Sequence, residues 1–150
     1  MSVQIPDFSG GDRTNIDLPE PQQKLLEGVL DAGKPTIVVL VNGSALAVNT
    51  AKDRAGAILE TWYGGQEGGT AIADTLAGDN NRAGRLPVTF YESVDQLPAF
   101  DDYSMKGRTY RYFTSEPLFP FGYGLSYSEF RYSDIAVRPG PENITHYENR

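Results

Sequence analysis

Two unbroken aliphatic runs constrain the fold of this chain more than any other feature of its sequence. The first covers residues 36–43 (TIVVLVNG) and the second covers residues 56–63 (GAILETWY). A strand with one face in water alternates apolar and polar residues, whereas continuous apolarity is typical of strands buried on both faces, as in parallel sheets. We therefore predict that both runs are strands of a buried, parallel sheet.

A helix precedes the first run. Residues 19–33 (PEPQQKLLEGVLDAG) carry Pro19 and Pro21 at their start, where a helix needs no backbone N–H donors. The leucines and Val29 form one apolar stripe at helical spacing. Gly33 is the expected end of the helix, because glycine readily takes the left-handed conformation that closes one.

The same alternation continues along the chain and predicts the fold class. The further elements are a short helix or helical turn at 45–53, a helix at 67–78 and a third strand at 85–91 (RLPVTFY), where Pro87 indicates an edge or a strand start. Helices alternating with apolar strands predict a layered α/β domain with right-handed crossovers. The predicted class is α/β: a partial layered sandwich with mostly parallel strands, followed by a long, irregular, aromatic-rich C-terminal segment.

Net charge and residue types exclude several classes of function. The formal charge of −7 disfavours nucleic acids and anionic membranes, because both bind basic surfaces. The lack of Cys and the single histidine, His146, exclude disulfides, thiol nucleophiles and His/Cys zinc sites. His146 lies in a polar tail, unlike the rigidly held histidine of a catalytic triad. We expect no metal and no cofactor, and any catalysis would use carboxylates, Tyr, Lys or Arg.

The chain shows no targeting or membrane segment. Its start, MSVQIPDFSGG, has no basic residues followed by an apolar stretch, so we expect no signal peptide in this chain. The longest aliphatic run, residues 37–41, is far below the roughly 20 residues that a membrane helix requires. The compartment of a longer parent stays open, with a secreted or periplasmic location among the options.

The last third of the chain does not suit an isolated domain. From residue 92 to the end, the chain shows no strong helical or strand periodicity but is rich in Tyr and Phe. A structureless stretch of this length is uncommon in a compact domain. We predict a partial α/β sandwich domain at 1–91, and an aromatic-rich segment at 92–132 that packs on this domain or on a missing neighbour. The chain is then part of a larger protein.

The glycine-rich stretch at 60–78 (ETWYGGQEGGTAIADTLAG) admits three interpretations. A phosphate cradle is disfavoured, because no Lys follows the glycines and Glu67 occupies the place of the phosphate charge. A catalytic role for Glu60 or Glu67 is consistent with their place at the end of a parallel strand. The structural interpretation, favoured for Glu67, is that it caps the following helix while the glycines allow a sharp turn.

Five segments together resemble a known family. They are GGDRTNIDLPEPQQKLL, GKPTIVVLVNGSALAV, AILETWYGGQEGGTAIADTLAGDNNRAGRLPVTFYESVDQLP, KGRTYRYF and PLFPFGYGLSYSEF. In this order they resemble the C-terminal (α/β)6-sandwich domain of the family 3 glycoside hydrolases, which include β-glucosidases and β-xylosidases. The resemblance runs from about residue 10 to about residue 137.

The resemblance implies a retaining, exo-acting β-glycosidase. Such enzymes pair a TIM-like barrel with the sandwich, often add a fibronectin type III-like domain, and use two carboxylates to hydrolyse terminal β-linked glucose or xylose. The nucleophilic Asp belongs to the barrel, and the acid/base Glu belongs to a loop just before the GGDR segment. No Glu precedes Asp12 here. We therefore expect no catalytic residue in this chain, missing barrel and fibronectin-like domains as partners, and a fibronectin-like start or a tail at 133–150.

Six residues are candidates for contact with a β-linked oligosaccharide in the parent: Glu60, Trp62, Tyr63, Arg108, Tyr110 and Arg111. For the two aromatic residues at 62 and 63, packing at a domain interface is the favoured role, and for the second group packing and salt bridging to the barrel is favoured over sugar contact. Two other classes of function remain: a non-catalytic sugar-binding or interaction module, and a flavodoxin-like nucleotide binder, which the lack of basic residues disfavours.

Overall fold

The computed structural model describes residues 14–139 and 145–148, with side chains described up to residue 137. The elements in chain order are α1 (Glu20–Asp31), β1 (Ile37–Leu40), α2 (Asn49–Arg54), β2 (Ala57–Glu60), α3 (Gly68–Ala77), a 3-10 turn (Val94–Gln96), α4 (Thr109–Tyr112), β3 (Ala136–Pro139) and β4 (Thr145–Glu148). No helix in this described part is both long enough and apolar enough to span a bilayer.

Helix α1 confirms its sequence signals. Pro19 is its N-cap residue, and the Pro19 carbonyl oxygen accepts hydrogen bonds from the backbone N–H groups of Gln22 (2.8 Å) and Gln23 (3.0 Å). Gly33 follows the helix end with a φ of 67°, the left-handed conformation expected of a helix terminator. Leu30 is buried, whereas Leu25 is 68% exposed, so only part of the apolar stripe is covered within this chain.

The two aliphatic runs form the predicted parallel pair. Strand β1 pairs with β2 in parallel register, with Leu40 opposite Glu60, and α2 lies in the connection between them. Burial on both faces is incomplete, because Ile37 is 54% exposed and Val41 is 60% exposed. The mixture of helices with a small parallel sheet fits the predicted α/β class.

The predicted third strand, at residues 85–91, is wrong. This segment makes an interrupted antiparallel contact with residues 119–123, in which Phe90 and Phe119 exchange both backbone hydrogen bonds (2.8 and 3.1 Å). Pro87 lacks an N–H group, so it cannot continue a regular ladder. Residues 85–91 therefore pair with the aromatic segment and form no parallel strand.

The buried core joins these parts of the chain. Phe90 is 2% exposed and packs edge-on against Phe119, with ring centroids 6.3 Å apart. The other members of the buried cluster are Leu40, Leu46, Val48, Ala51 and Leu118. Residues 118 and 119 thus pack on the α/β part of the chain.

Two further contacts fix the C-terminal segment. Asn81 Oδ1 accepts a hydrogen bond from the Tyr127 backbone N–H at 3.0 Å, and Asn81 Nδ2 donates to Ser128 Oγ at 2.8 Å. Strands β3 and β4 form a separate antiparallel pair, with Ala136 opposite Glu148. The predicted boundaries near 91 and 132 stay predictions, and residues 1–13, 140–144 and 149–150 lie outside the described part, as does the side chain of His146.

Candidate functional site

The carboxyl ends of β1 and β2 form one edge at which polar side chains collect. Glu60 is the last residue of β2 and lies opposite Leu40, the last residue of β1. The pairing extends by one residue, because the Thr61 N–H donates to the Leu40 carbonyl oxygen at 3.0 Å. Asn42 follows β1 by two residues. In open α/β sheets, ligands bind at this end of the strands.

The two carboxylate oxygens of Glu60 differ in their hydrogen bonding within the described part of the chain. Its Oε1 accepts a hydrogen bond from the Trp62 backbone N–H at 3.0 Å, whereas its Oε2 is buried without a partner among the described residues. Burial raises the pKa of the Glu60 carboxyl group above its ordinary value, and the Trp62 N–H and the nearby Asn42 side chain partly offset the rise. A buried acceptor left unpaired costs about 1–3 kcal/mol.

Trp62 and Tyr63 have different environments although they are adjacent. Trp62 has a φ of 53°, which is rare for a bulky residue, and its ring packs edge-on against Phe90 with centroids 6.2 Å apart. Tyr63 is 76% exposed, and its ring lies so close to Gly43 that a Cβ there would be 2.6 Å from Cε2. The Glu60 carboxylate stabilises the strained Trp62 backbone, and strain of this kind is common at functional sites.

Asn42 is a further polar residue of this edge that was not among the candidates predicted from the sequence. Its Nδ2 donates to the Ser44 carbonyl oxygen at 2.5 Å, which fixes the orientation of the amide, and its Oδ1 is buried with no partner in the part of the chain described. Although the Asn42 side chain lies near the carboxylate of Glu60, no hydrogen bond of ordinary geometry joins it to Glu60 Oε2. The available signal was a polar residue directly after an apolar strand, at the same sheet edge as Glu60.

Two clefts open beside this edge. The smaller, of about 410 Å³, is lined by Glu60, Trp62 and four glycines (Gly64, Gly65, Gly68 and Gly69), together with apolar residues of the strand ends and of α3. The larger, of about 730 Å³, also includes Glu60 and Trp62 and extends along β2 to Phe90 and Tyr123. The smaller cleft is of the size that small-molecule sites in proteins have.

Glu67 lies outside both clefts. It is the N-cap residue of α3, the position predicted from the sequence. Its side chain, however, makes no hydrogen bond to a backbone N–H of the helix. Its Oε2 accepts a hydrogen bond from Thr70 Oγ1 at 3.2 Å, on the exposed surface. A carboxylate in this position still complements the positive end of the helix dipole.

Arg108 holds the loop that precedes α4. Its guanidinium donates to the carbonyl oxygens of Ser104, Ala99 and Asp102, at 3.1, 2.9 and 2.6 Å. The next residue, Thr109, has a φ of 57°, and its N–H donates to the Tyr91 hydroxyl at 3.1 Å. These contacts fix the backbone from which Tyr110 and Arg111 project.

Tyr110 and Arg111 lie on the surface and pack on neighbouring aromatic rings. The Tyr110 ring stacks on Phe121 with centroids 4.4 Å apart, and the Arg111 guanidinium lies 5.8 Å from the centroid of the Tyr112 ring. Within the described residues, neither they nor Arg108 line the two clefts. The structure therefore brings Glu60 and Trp62 together, places Tyr63 on the outside of the same turn, and keeps the second group apart from both clefts.

The side chains at this edge are suited to binding a ligand and not to cleaving a glycosidic bond by themselves. Glu60 is the one carboxylate among the described residues that line the two clefts. Retaining glycoside hydrolysis requires two carboxyl groups about 5 Å apart. In residues 14–139 and 145–148, no three His, Cys, Asp or Glu side chains come together as a metal site would require.

Comparison with known proteins gives a consistent result. The model of the glycosyl hydrolase family 3 C-terminal domain matches residues 3–127. The chain is 53% identical over 137 residues to a xylan 1,4-β-xylosidase of Xylanibacter ruminicola, covering 91% of this chain and 16% of that protein. It is 45% identical to a periplasmic β-glucosidase of Salmonella typhimurium, over 83% of this chain and 18% of that protein. The chain thus spans less than a fifth of the length of these curated relatives.

A solved structure supports the same assignment. The β-D-glucoside glucohydrolase of Trichoderma reesei matches with a TM-score of 0.76 and 29% identity, over 85% of this chain and 20% of that chain. Because the family model covers most of the sequence, in the region that carries the parallel sheet, the glycine-rich turn and the aromatic segment, the chain belongs to the glycosyl hydrolase family 3 C-terminal domain family.

Proposed function

We propose that this chain works as part of a retaining, exo-acting β-glycosidase that releases terminal β-linked glucose or xylose from oligosaccharides. The observation that carries the proposal is the family match over residues 3–127, together with 53% identity to a protein named as a β-xylosidase. The region aligned with that relative covers 137 residues of the alignment and 91% of this chain, and it includes Glu60, Trp62 and the glycine-rich turn.

In this proposal the chain supplies one wall of the active site and another part of the parent supplies the catalytic carboxylates. Of the described residues that line the clefts, Glu60 is the one carboxylate, whereas retaining hydrolysis needs two. The partners are then a TIM-like barrel and a fibronectin type III-like domain in the same parent, and the small parallel sheet belongs to a larger layered sandwich. The exposed apolar residues Ile37 and Val41 support further packing on β1.

The six candidate residues have different parts in this proposal. Glu60 and Trp62 contact the sugar, because they line the smaller cleft at the carboxyl end of the sheet, and Tyr63 contacts it from the exposed outer side of the same turn. Tyr110 and Arg111 border a more distant subsite, and Arg108 positions them through its three bonds to carbonyl oxygens. The exposed Tyr110 ring, 63% accessible, supports a contact with a partner or a sugar.

The test is hydrolysis of nitrophenyl β-xyloside and nitrophenyl β-glucoside by two samples. The isolated 150-residue chain is expected to release no more nitrophenol than a heat-killed control, and the longer protein that carries it is expected to hydrolyse at least one substrate. NMR of the first-formed product should show the β-anomer, as retention requires. Activity of the isolated chain above the control would contradict the proposal that another part of the parent supplies the catalytic carboxylates. An inactive longer protein would contradict the β-glycosidase assignment.

The alternative is a non-catalytic sugar-binding module. The observation that favours it is the exposure of Tyr63 beside a cleft of about 410 Å³, since an open aromatic ring can stack on a sugar face. Saturable binding of xylobiose or cellobiose by a longer protein that hydrolyses neither would support this alternative and not the enzyme.

A further inference from the structure

Asn42 is the one asparagine of the chain that directly precedes a glycine. In an Asn-Gly pair the backbone nitrogen of the glycine can attack the side-chain amide carbon of the asparagine, because glycine has no side chain to block the approach. The pair lies just after β1, in the turn that leads to the buried residues Leu46 and Val48. Whether it reacts in the folded chain depends on the contacts of the attacking nitrogen and of the amide.

The attacking nitrogen is free and accessible in the folded chain. The Gly43 N–H has no hydrogen-bond partner among the described residues, and both Gly43 and Ser44 are exposed to solvent. Water and hydroxide therefore reach the peptide group that must lose its proton. Strand β1 ends at Leu40, so no bond of the sheet has to break before the Gly43 nitrogen moves.

Two contacts restrain the pair. Asn42 Nδ2 donates to the Ser44 carbonyl oxygen at 2.5 Å, and this bond must open before the amide nitrogen leaves. The Tyr63 ring lies against Gly43, where a Cβ would be 2.6 Å from Cε2, so the packing of Tyr63 keeps at position 43 the residue type that makes Asn42 reactive. Because Tyr63 is 76% exposed, its ring can swing away from Gly43 without loss of core packing.

We propose that Asn42–Gly43 is a site of spontaneous deamidation, at a rate set by the Tyr63 ring on Gly43, and that its product opens the turn after β1. The Gly43 nitrogen loses its proton to base and bonds to Asn42 Cγ, the Cγ–Nδ2 bond breaks, and Nδ2 leaves as ammonia. Water then opens the cyclic imide at either carbonyl group and gives aspartate or isoaspartate. The reaction consumes one water, releases one ammonia and does not depend on the proposed β-glycosidase function.

The product does not fit the turn as the amide does. A carboxylate at position 42 has no N–H group for the Ser44 carbonyl oxygen, so two acceptors would face each other. It would also lie beside the Glu60 carboxyl group, and like charges at close range repel. Isoaspartate adds one carbon atom to the backbone path, which moves Gly43 relative to the Tyr63 ring. Each of these changes loosens the turn that carries Glu60 and Trp62.

Peptide mapping by mass spectrometry tests the site in the full-length chain, kept folded at mildly alkaline pH. Asn49 and Asn80 are exposed internal controls, because the residues that follow them, Thr50 and Asn81, carry side chains. We expect Asn42 to convert at least tenfold faster than either control, with isoaspartate as well as aspartate among the products. Circular dichroism of the same samples verifies the fold. Conversion of Asn42 no faster than that of the controls would overturn the site.

Three variants separate the effect of the fold from that of the sequence pair. Tyr63→Ala uncovers Gly43, so it should raise the conversion rate at least threefold in the folded chain and leave it unchanged in urea. The matched control Tyr103→Ala removes a ring that is 93% exposed and should change neither rate. Asn42→Asp carries the product from the start and should lower the urea midpoint of unfolding. An unchanged rate in folded Tyr63→Ala, or an Asn42→Asp chain as stable as the unsubstituted one, would overturn the proposal.

Discussion

Gly124→Ala should destabilise the contact between the aromatic segment and the α/β part of the chain. A Cβ at Gly124 would overlap the Gly84 carbonyl oxygen, well inside the distance of 3.4 Å at which ordinary contact begins. The same Cβ would lie 3.0 Å from two side-chain atoms of Arg85. Because the nearest atom belongs to the backbone, a rotamer change cannot relieve the overlap.

The expected loss in the free energy of unfolding comes from the overlap itself and from the hydrogen bonds that the displaced backbone makes. Overpacking typically costs about 1–3 kcal/mol. The strand-like contact next to Gly84 depends on two hydrogen bonds, from the Leu86 N–H to the Tyr123 carbonyl oxygen (2.9 Å) and from the Gly122 N–H to the Leu86 carbonyl oxygen (2.8 Å). Weakening one of them adds about 0.5–1.5 kcal/mol. We expect a loss of about 2–4 kcal/mol in the free energy of unfolding.

Urea unfolding followed by tryptophan fluorescence measures this loss. Trp62 is the one tryptophan of the chain and packs against Phe90, which is bonded to the aromatic segment through Phe119. The matched control is Gly84→Ala, since a Cβ there meets no heavy atom within 4 Å and its φ is not left-handed. That variant should stay within about 1 kcal/mol of the unsubstituted chain. Equal stabilities of the two variants would refute the close approach of Gly84 and Gly124.

Three further predictions concern charge and exposed surface. Because burial raises the folded-state pKa of Glu60 above 4.5, the favourable contribution of this group to stability is present below about pH 4.5 and is lost as the pH rises through the raised pKa. Glu60→Gln should therefore gain stability relative to the unsubstituted chain between pH 4 and pH 7. A stability difference between the two proteins that stays constant over this range would contradict the burial of the carboxyl group. In the parent enzyme, Glu67→Gln should lower stability by about 0.3–1 kcal/mol and leave turnover of cellobiose or xylobiose within a few-fold; a loss of several hundred-fold on these disaccharides, with activity on a dinitrophenyl glycoside retained, would make Glu67 the general acid. The isolated chain should bind an apolar dye and elute as oligomers, because Leu25, Tyr103 and Phe130 are 68%, 93% and 70% exposed, and a monomer that binds no dye would argue against this.

Local signals in the sequence were sufficient for the elements of the first half of the chain. Proline at the start of α1 and left-handed glycines after α1 and α3, with φ of 67° at Gly33 and 86° at Gly78, act on residues next to them in sequence. The apolar runs likewise predict β1 and β2 from local sequence, since a buried strand needs apolar side chains on both faces. The family resemblance also depends on segments that are contiguous in sequence.

The tertiary structure alone decided what happens where distant parts of the chain meet. Residues 85–91 have the composition of a strand, but their backbone partners are residues 119–123, which lie 29 to 37 positions further along the chain. The guanidinium of Arg108 is occupied by loop carbonyl oxygens, and no sequence signal distinguishes that role from sugar contact. Asn42 and Glu60 come to the same sheet edge only through the register of β1 on β2. Such contacts depend on the packing of the whole core, so composition and periodicity over a short window do not determine them.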